Sequence, residues 1–493
     1  MVNIAILLGN GPIGEDSFRM GPWTKYIVEK HNLFVISRIS EEAYLSESLK
    51  KFIGDDLFLK LKIEIKDLKE RSNEYLLVYD SPYFQKDYTN DEIEELQSWL
   101  GISYSYISSL DRRFYDKKKM KDVRNEKELY IYMAALTNIY RDFFVKNEIE
   151  VFINSLEDIT FSVLAYYVAK KLDVTVLGFV SSRFPKKGML FCKDFSELCI
   201  HNKNNVEWDE INSLYSNSLI VREDLIEKNK KFFQIFSINQ RVRDLKKFLN
   251  YKKFVNNSIK CYPHEKFIFE PTSALKEFKN YLIKFIRVSI IKYFEKKLNE
   301  TDKYFFYPIH YMEDAQVTFR EPHLDQIDLI KKISRSLPFG YFLYVKAHPH
   351  YLGSDIKLND LFKLNKLKNV KLISPTAKPI DLIKNSKGVI TVNSTTGFES
   401  LIQNKPVITF GHDIYCRDDL CYVIRDINKL SDTIMKIIDR KFEGFEAKEF
   451  IKSVYANTIW IDGFGPTFES CGLMDDDGYN VAKSLDIIIS KID

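Results

Sequence analysis

Three polar clusters in the second half of this 493-residue chain each follow a short apolar run, and their residue types could bind an anion or move a proton. Ile309-His310-Tyr311-Met312-Glu313-Asp314 follows residues 304–308, Lys346-Ala347-His348-Pro349-His350 follows 341–345, and Asn393-Ser394-Thr395-Thr396-Gly397-Phe398-Glu399 follows 388–392. In the third cluster hydroxyl residues and a glycine sit between an apolar run and a helical pattern. The free N–H groups and positive end of a helix make an anion site there, with the Ser394, Thr395 and Thr396 hydroxyls as further donors. Glu399, read as lying in the first helical turn, could accept from a ribose hydroxyl. The same residues also read as an ordinary N-cap.

In the second cluster, Pro349 restricts His348 to extended backbone. The imidazole and the neighbouring Lys346 are then placed to meet a pyrophosphate or a phosphate leaving group. A loop histidine with a structural partner is the alternative. His348 and His350 without a third ligand do not make a metal site. In the first cluster His310 with Glu313 and Asp314 offers acid/base chemistry, or a surface turn.

These clusters need a scaffold that gathers strand ends. Short apolar runs alternate with helical-period stretches along the chain, the pattern of parallel α/β sheets. The first half predicts strands over 3–8, 33–37, 75–79, 102–108, 151–154 and 174–180, with helices over 129–146 and 159–171. The second predicts strands over 304–308, 341–346, 370–373, 388–392 and 406–410, with helices over 324–336, 358–364, 380–385, 398–403 and 479–489. The expected fold is two Rossmann-like, doubly wound α/β domains, in which ligands bind outside the carboxyl ends of the strands. An acceptor-side domain is expected over 1–240, a basic helical connector over 241–303, and a nucleotide-binding domain over 304–493.

The whole chain carries a formal charge of only +4, which does not advertise a nucleic-acid partner. The charge is unevenly spread, however. Residues 241–300 hold fifteen Lys and Arg against six Asp and Glu, so the rest of the chain is net acidic. That stretch, and Lys117-Lys118-Lys119 with Lys121, read as solvated helix faces or as a dock for anionic lipid. No apolar run reaches membrane-spanning length, and the start resembles a strand more than a signal peptide. Six cysteines without CxxC pairing suggest reduced thiols and a cytoplasmic setting.

Two further motifs carry less. Gly9-Asn10-Gly11-Pro12-Ile13-Gly14 matches G-x-G-x-x-G, with Arg38 ending the next strand as an NADP site would have it. Pro12 and the acidic continuation delay the following helix, so an acceptor-side loop is expected instead. Asp475-Asp476-Asp477 reads as an acidic helix start rather than a metal-holding D-x-D.

The stretch from Tyr304 to about Tyr415 resembles the capsule polysaccharide biosynthesis family, which includes bacterial Kdo (keto-deoxy-octulosonate) transferases of GT-B-like fold. The matching features are Tyr307-Pro308-Ile309-His310-Tyr311, Asp325-Gln326, Val345-Lys346-Ala347-His348-Pro349, Asn369-Val370-Lys371-Leu372-Ile373, Ser394-Thr395-Thr396-Gly397-Phe398-Glu399 and Lys405-Pro406-Val407-Ile408. Where the family usually has Pro-Glu after His-Tyr-x, this chain has Glu313-Asp314, so the carboxylate role passes to Glu313 or to the shorter Asp314. The resemblance implies a metal-independent glycosyltransferase without a resident cofactor, using a nucleotide sugar such as CMP-Kdo. It implies a polysaccharide or lipid-linked acceptor, no nucleic-acid partner, and contact with capsule assembly proteins or the inner face of the membrane. His348 and the Ser394/Thr395 turn would meet the nucleotide phosphate. Transfer of glycerol phosphate from CDP-glycerol, sugar-nucleotide epimerisation and a non-catalytic scaffold subunit remain the alternatives.

Overall fold

The computed structural model describes residues 1–8, 23–38, 50, 55–111, 126–154, 159–184, 188–214, 249, 252–257, 259–260, 262–267, 274–311, 317, 320–321, 324–349, 353, 356–439, 445–461 and 475–492. The chain divides into two compact units. Met1–Lys203, Phe236–Thr272 and Asn457–Asp493 form the first; Asn204–Ile235 and Ser273–Ala456 form the second.

The first unit contains β1 (Asn3–Leu8), β2 (Asn32–Ser37), β3 (Glu74–Leu77), β4 (Val151–Asn154), β5 (Thr175–Ser181), β6 (Gly188–Lys193) and β7 (Glu197–Leu198). The second contains β8 (Lys303–Pro308), β9 (Tyr341–Lys346), β10 (Val370–Ile373), β11 (Val389–Thr391), β12 (Val407–Thr409) and β13 (Tyr422–Val423). β14 (Ile459–Trp460) then returns to the first sheet, whose order is β14-β6-β5-β4-β1-β2-β3, with β7 on β6. From β3 to β5 the neighbours are parallel, while β6 and β14 join antiparallel.

The second sheet runs β10-β9-β8-β11-β12-β13, all parallel. Its strands are apolar on both faces because helices cover both. Along β8, Phe305 and Tyr307 enter one core with Leu343, Val345, Ile390 and Ile330. Tyr304 and Phe306 enter the opposite core with Tyr344, Leu382 and Val389. Two Rossmann-like sheets are therefore present, as expected from the alternation of apolar runs.

The structure corrects two sequence expectations here. Residues 102–108 were expected as a strand, but Tyr104–Ser109 is a helix. Gly101, at φ 75°, closes the helix Asn90–Leu100, and the Ser103 hydroxyl accepts from Tyr106 N–H at 3.1 Å to start the next. Tyr104 and Ile107, three apart, then face the core. The domain borders also differ. β14 pairs with β6, and Val481, Leu485 and Ile488 of the helix Asp475–Ile489 fill the first unit's core, so 304–493 is not one domain. The connector expected over 241–303 splits as well, since Ile291 and Phe294 of the helix Ala274–Phe294 pack into the second unit's core.

Candidate functional site

In the second sheet the strand order reverses between β8 and β11, the first and fourth strands of the unit. Ligands of such sheets bind beyond the carboxyl ends at that reversal. His310 lies two residues past β8, and Asn393 and Ser394 lie just past β11. Asn393 N–H donates to His310 Nε2 at 3.5 Å, so the two clusters meet there. Gln326 holds the histidine backbone from the other side: its Oε1 accepts from His310 N–H at 2.9 Å and its Nε2 donates to His310 O at 3.3 Å. Asp325 caps the helix that carries Gln326, accepting from Ile327 N–H and Asp328 N–H.

β9 lies next to β8 in the sheet, with Pro308 paired to Lys346 and Ile309 N–H donating to Lys346 O at 2.8 Å. The Lys346–His348 cluster therefore leaves the neighbouring strand end. Lys346 is 4% exposed and His348 half-buried. Three adjacent strands, β9, β8 and β11, thus deliver the three polar clusters to one edge. Glu313, Asp314 and His350 lie outside the described residues.

The helix after β11 runs Thr395–Ile402, three residues earlier than the sequence pattern suggested, with Ser394 as its N-cap. Ser394 Oγ accepts from Thr396 N–H at 3.2 Å. Its hydroxyl proton, with the Thr395 N–H and the Thr395 and Thr396 hydroxyls, is what this turn can offer an anion. The earlier start moves Glu399 to the fifth helical position, where it is 2% exposed, rather than the first turn.

The turn is braced by the loop after β12, which sequence reasoning missed. Tyr415, fully buried, donates its hydroxyl to Ser394 O at 2.6 Å. Gly397 makes that approach possible, because a Cβ there would lie 2.5 Å from the Tyr415 hydroxyl oxygen. Cys421 Sγ donates to Tyr415 O at 3.3 Å, and burial pushes that thiol up to about 12, which keeps it protonated. In the same loop His412 O accepts from Arg320 Nη1 at 2.7 Å and from Asn393 Nδ2 at 3.4 Å. Arg320 also faces Asp413 at 3.7 Å, both side chains being almost wholly buried. Glu321 contacts the His412 ring. The Asp325-Gln326 pair and Gly397 were the only sequence signals pointing at this bracing.

The corresponding helix of the first unit starts differently. There the fourth strand in order, β4, is followed by the helix Thr160–Lys171, whose N-cap residue Ile159 supplies no capping side chain. The fully buried Asp111 carboxylate accepts from Thr160 N–H at 2.7 Å and Thr160 Oγ1 at 2.8 Å. A carboxylate of the chain itself thus takes the first donors of that helix. The second unit caps its equivalent helix with a neutral serine.

A separate concavity of about 190 Å³ lies along β13, lined in part by Asp418, Cys421, Arg425 and Lys429. It follows the side of the edge strand instead of crossing the strand ends, so the switch point is the better candidate.

The sequence model of the family described as capsule polysaccharide biosynthesis protein matches residues 218–422, a span that contains His310, Arg320, Gln326, Lys346, His348, the Ser394 turn and Tyr415. Over these residues the chain is similar to that family. It is similar to protein FixF of Sinorhizobium fredii, 30% identical over 130 residues, which is 26% of this chain and 31% of that protein. It is also similar to the capsule polysaccharide export protein KpsS of Escherichia coli, 27% identical over 145 residues, 28% of this chain and 37% of that protein. The chain thus spans about a third of the length of these relatives. Among solved structures, the Thermosulfurimonas dismutans KpsC beta Kdo 2,7 transferase aligns at 13% identity and TM-score 0.31, covering 70% of this chain and 88% of that one. The Methanocaldococcus jannaschii UDP-GlcNAc 2-epimerase aligns at 10% identity and TM-score 0.24, covering 98% and 99%.

Proposed function

We propose that the chain is a GT-B-like glycosyltransferase of capsule or surface polysaccharide assembly, and that its second unit holds the nucleotide-sugar donor. The observation that supports this most is the meeting of His310 with the Asn393–Ser394 turn at the sheet's reversal point, 3.5 Å apart. In this reading the donor's phosphate takes the Thr395 N–H and the Ser394, Thr395 and Thr396 hydroxyls. Lys346 and His348 supply positive charge from the adjacent strand end. As the sugar–oxygen bond breaks, its electron pair leaves on the phosphate, and these donors stabilise the charge that develops there without needing a metal. Glu399 would orient the nucleotide from within the helix, and His310 with Glu313 or Asp314 would position or deprotonate the acceptor. Kdo carried on CMP is the donor that the family resemblance names, and a capsule polysaccharide or glycolipid is the acceptor. The first unit, whose equivalent helix end carries Asp111, is assigned to the acceptor.

The test is thermal unfolding with CMP, CDP, UDP, GDP and ADP, without added metal, on wild type and on Ser394→Ala and His348→Ala. One nucleotide should stabilise the wild type, and both variants should lose part of that shift. His348→Ala should also cost ~10²–10³ in turnover if it faces the developing phosphate charge. No shift with any nucleotide would overturn the donor site. An acceptor that gains glycerol phosphate instead of a sugar would replace this reading with polyol-phosphate transfer.

A further inference from the structure

The segment after β8 and the loop after β12 meet in a histidine–carboxylate pair, in which Glu321 Oε1 contacts His412 Nδ1. In the sheet β11 lies between β8 and β12, so the pair joins segments from the two strands that flank the one ending in the Asn393–Ser394 turn. An ionised carboxylate only accepts, so the Nδ1 proton goes to Glu321 and Nε2 is left as the acceptor of the neutral ring. The His412 side chain is 75% exposed and that of Glu321 18%, so the ring stands in solvent in front of a carboxylate that is largely covered.

The backbone beneath the ring is fixed more firmly than an exposed side chain requires. His412 O accepts from Arg320 Nη1 at 2.7 Å and from Asn393 Nδ2 at 3.4 Å, and Gly411 N–H donates to Val392 O at 3.0 Å. Asn393 directly precedes the Ser394 cap, so these bonds set the imidazole beside the anion turn. An exposed ion pair adds little stability, so stability does not account for a pair anchored in this way. His310 is less open to an acceptor, being 6% exposed with its Nε2 against Asn393 N–H.

We propose that His412 is the general base for the acceptor hydroxyl and that Glu321 is the positioning residue that orients it. This role rests on the donor reading above and leaves His310 to position the turn. The acceptor hydroxyl gives its proton to His412 Nε2 as its oxygen bonds to the sugar carbon. The sugar–phosphate bond breaks, its electron pair leaving on the nucleotide phosphate, and the imidazolium faces Glu321 until solvent takes the proton.

The experiment follows the release of CMP from CMP-Kdo by the full chain, with water as the acceptor, beside the nucleotide-induced thermal shift. His412→Ala should lower kcat ~10²–10⁴-fold with KM and the thermal shift unchanged, and added imidazole should restore part of the rate. Glu321→Gln should lower kcat as well, again without moving KM. Nitrogen NMR of the labelled protein should show the Nδ1–H tautomer at His412, assigned from the signal that His412→Ala removes, and Glu321→Gln should move it toward Nε2–H. An Nε2–H tautomer in the wild type, or a His412→Ala protein that keeps its thermal shift and turns over like the wild type, would overturn the proposal. No shift of the wild type with any nucleotide would instead fail the donor reading, and this proposal with it, whatever the tautomer.

Discussion

Replacing Gly397 by alanine should disturb the anion turn through Tyr415, by an amount the geometry allows to be worked out. The new Cβ would stand 2.5 Å from the Tyr415 hydroxyl oxygen and 2.9 Å from two ring carbons. Tyr415 is fully buried, with Phe398 beside it at 6.3 Å between ring centres, so the ring has little room to retreat. Overpacking of this kind costs ~1–3 kcal/mol. Breaking the Tyr415–Ser394 hydrogen bond adds ~1 kcal/mol, and the gain from removing a helical glycine returns ~1 kcal/mol. The net loss is then ~1–3 kcal/mol, and the nucleotide-induced shift should shrink with it. Tyr415→Phe alone should lose only the hydrogen bond, ~1 kcal/mol. Because the phenylalanine also removes the atom closest to the new Cβ, the double variant should be less destabilised than the sum, with a coupling of ~0.5–2 kcal/mol. Thermal or urea unfolding of the four proteins measures that coupling. Strict additivity, or a Gly397→Ala protein as stable as wild type, would refute the claim that Tyr415 fixes the turn.

Arg320→Ala should destabilise by ~3 kcal/mol, because it removes the cation that faces the buried Asp413 carboxylate, whereas Arg320→Met with Asp413→Leu should recover most of that in urea melts. Burial, followed by the nearby Lys266 charge, holds His264 below the ordinary imidazole range, and its ring lies 4.5 Å from that of Phe84 between centres. Its folded value is below its unfolded value of 6.5, so the unfolded chain binds more protons and the stability it contributes is complete above 6.5 and lost as pH falls toward the folded value. Melts between pH 5 and 8 should show this loss, and His264→Phe should reduce the slope.

Ten strands, β1 to β5 and β8 to β12, were legible because most are buried and read as uninterrupted apolar runs, whereas β6, β7, β13 and β14 were not foreseen. The residues 304–308, 341–346 and 370–373 needed only a one-residue adjustment or none. The stretch 102–108 misled because a serine cap and a glycine stop are local hydrogen-bond events, while its apolar residues alone fit either period. β14 could not be foreseen, since two residues carry no period and their partner lies 270 positions earlier. At the site, His310 and the Ser394 turn were visible as residue types following strands. Their meeting depended on strand order, which no local pattern contains. Tyr415, Arg320 and Asp413 act through the loop after β12, and nothing in their own neighbourhoods distinguishes them from structural residues.

The return of residues 457–493 to the first unit matters for how the chain is made. Every backbone partner that the second sheet needs has been synthesised by about Val423, and the unit's remaining helices, Leu430–Asp439 and Phe445–Ala456, follow directly. The first sheet, begun at Asn3, still lacks β14 and the helix Asp475–Ile489, whose Val481, Leu485 and Ile488 complete its core. The half that starts first is therefore the half that finishes later. Through most of synthesis the first unit waits as an open sheet with an incomplete apolar face. A stop codon near 456 would spare the second unit while leaving the first without its closing pieces.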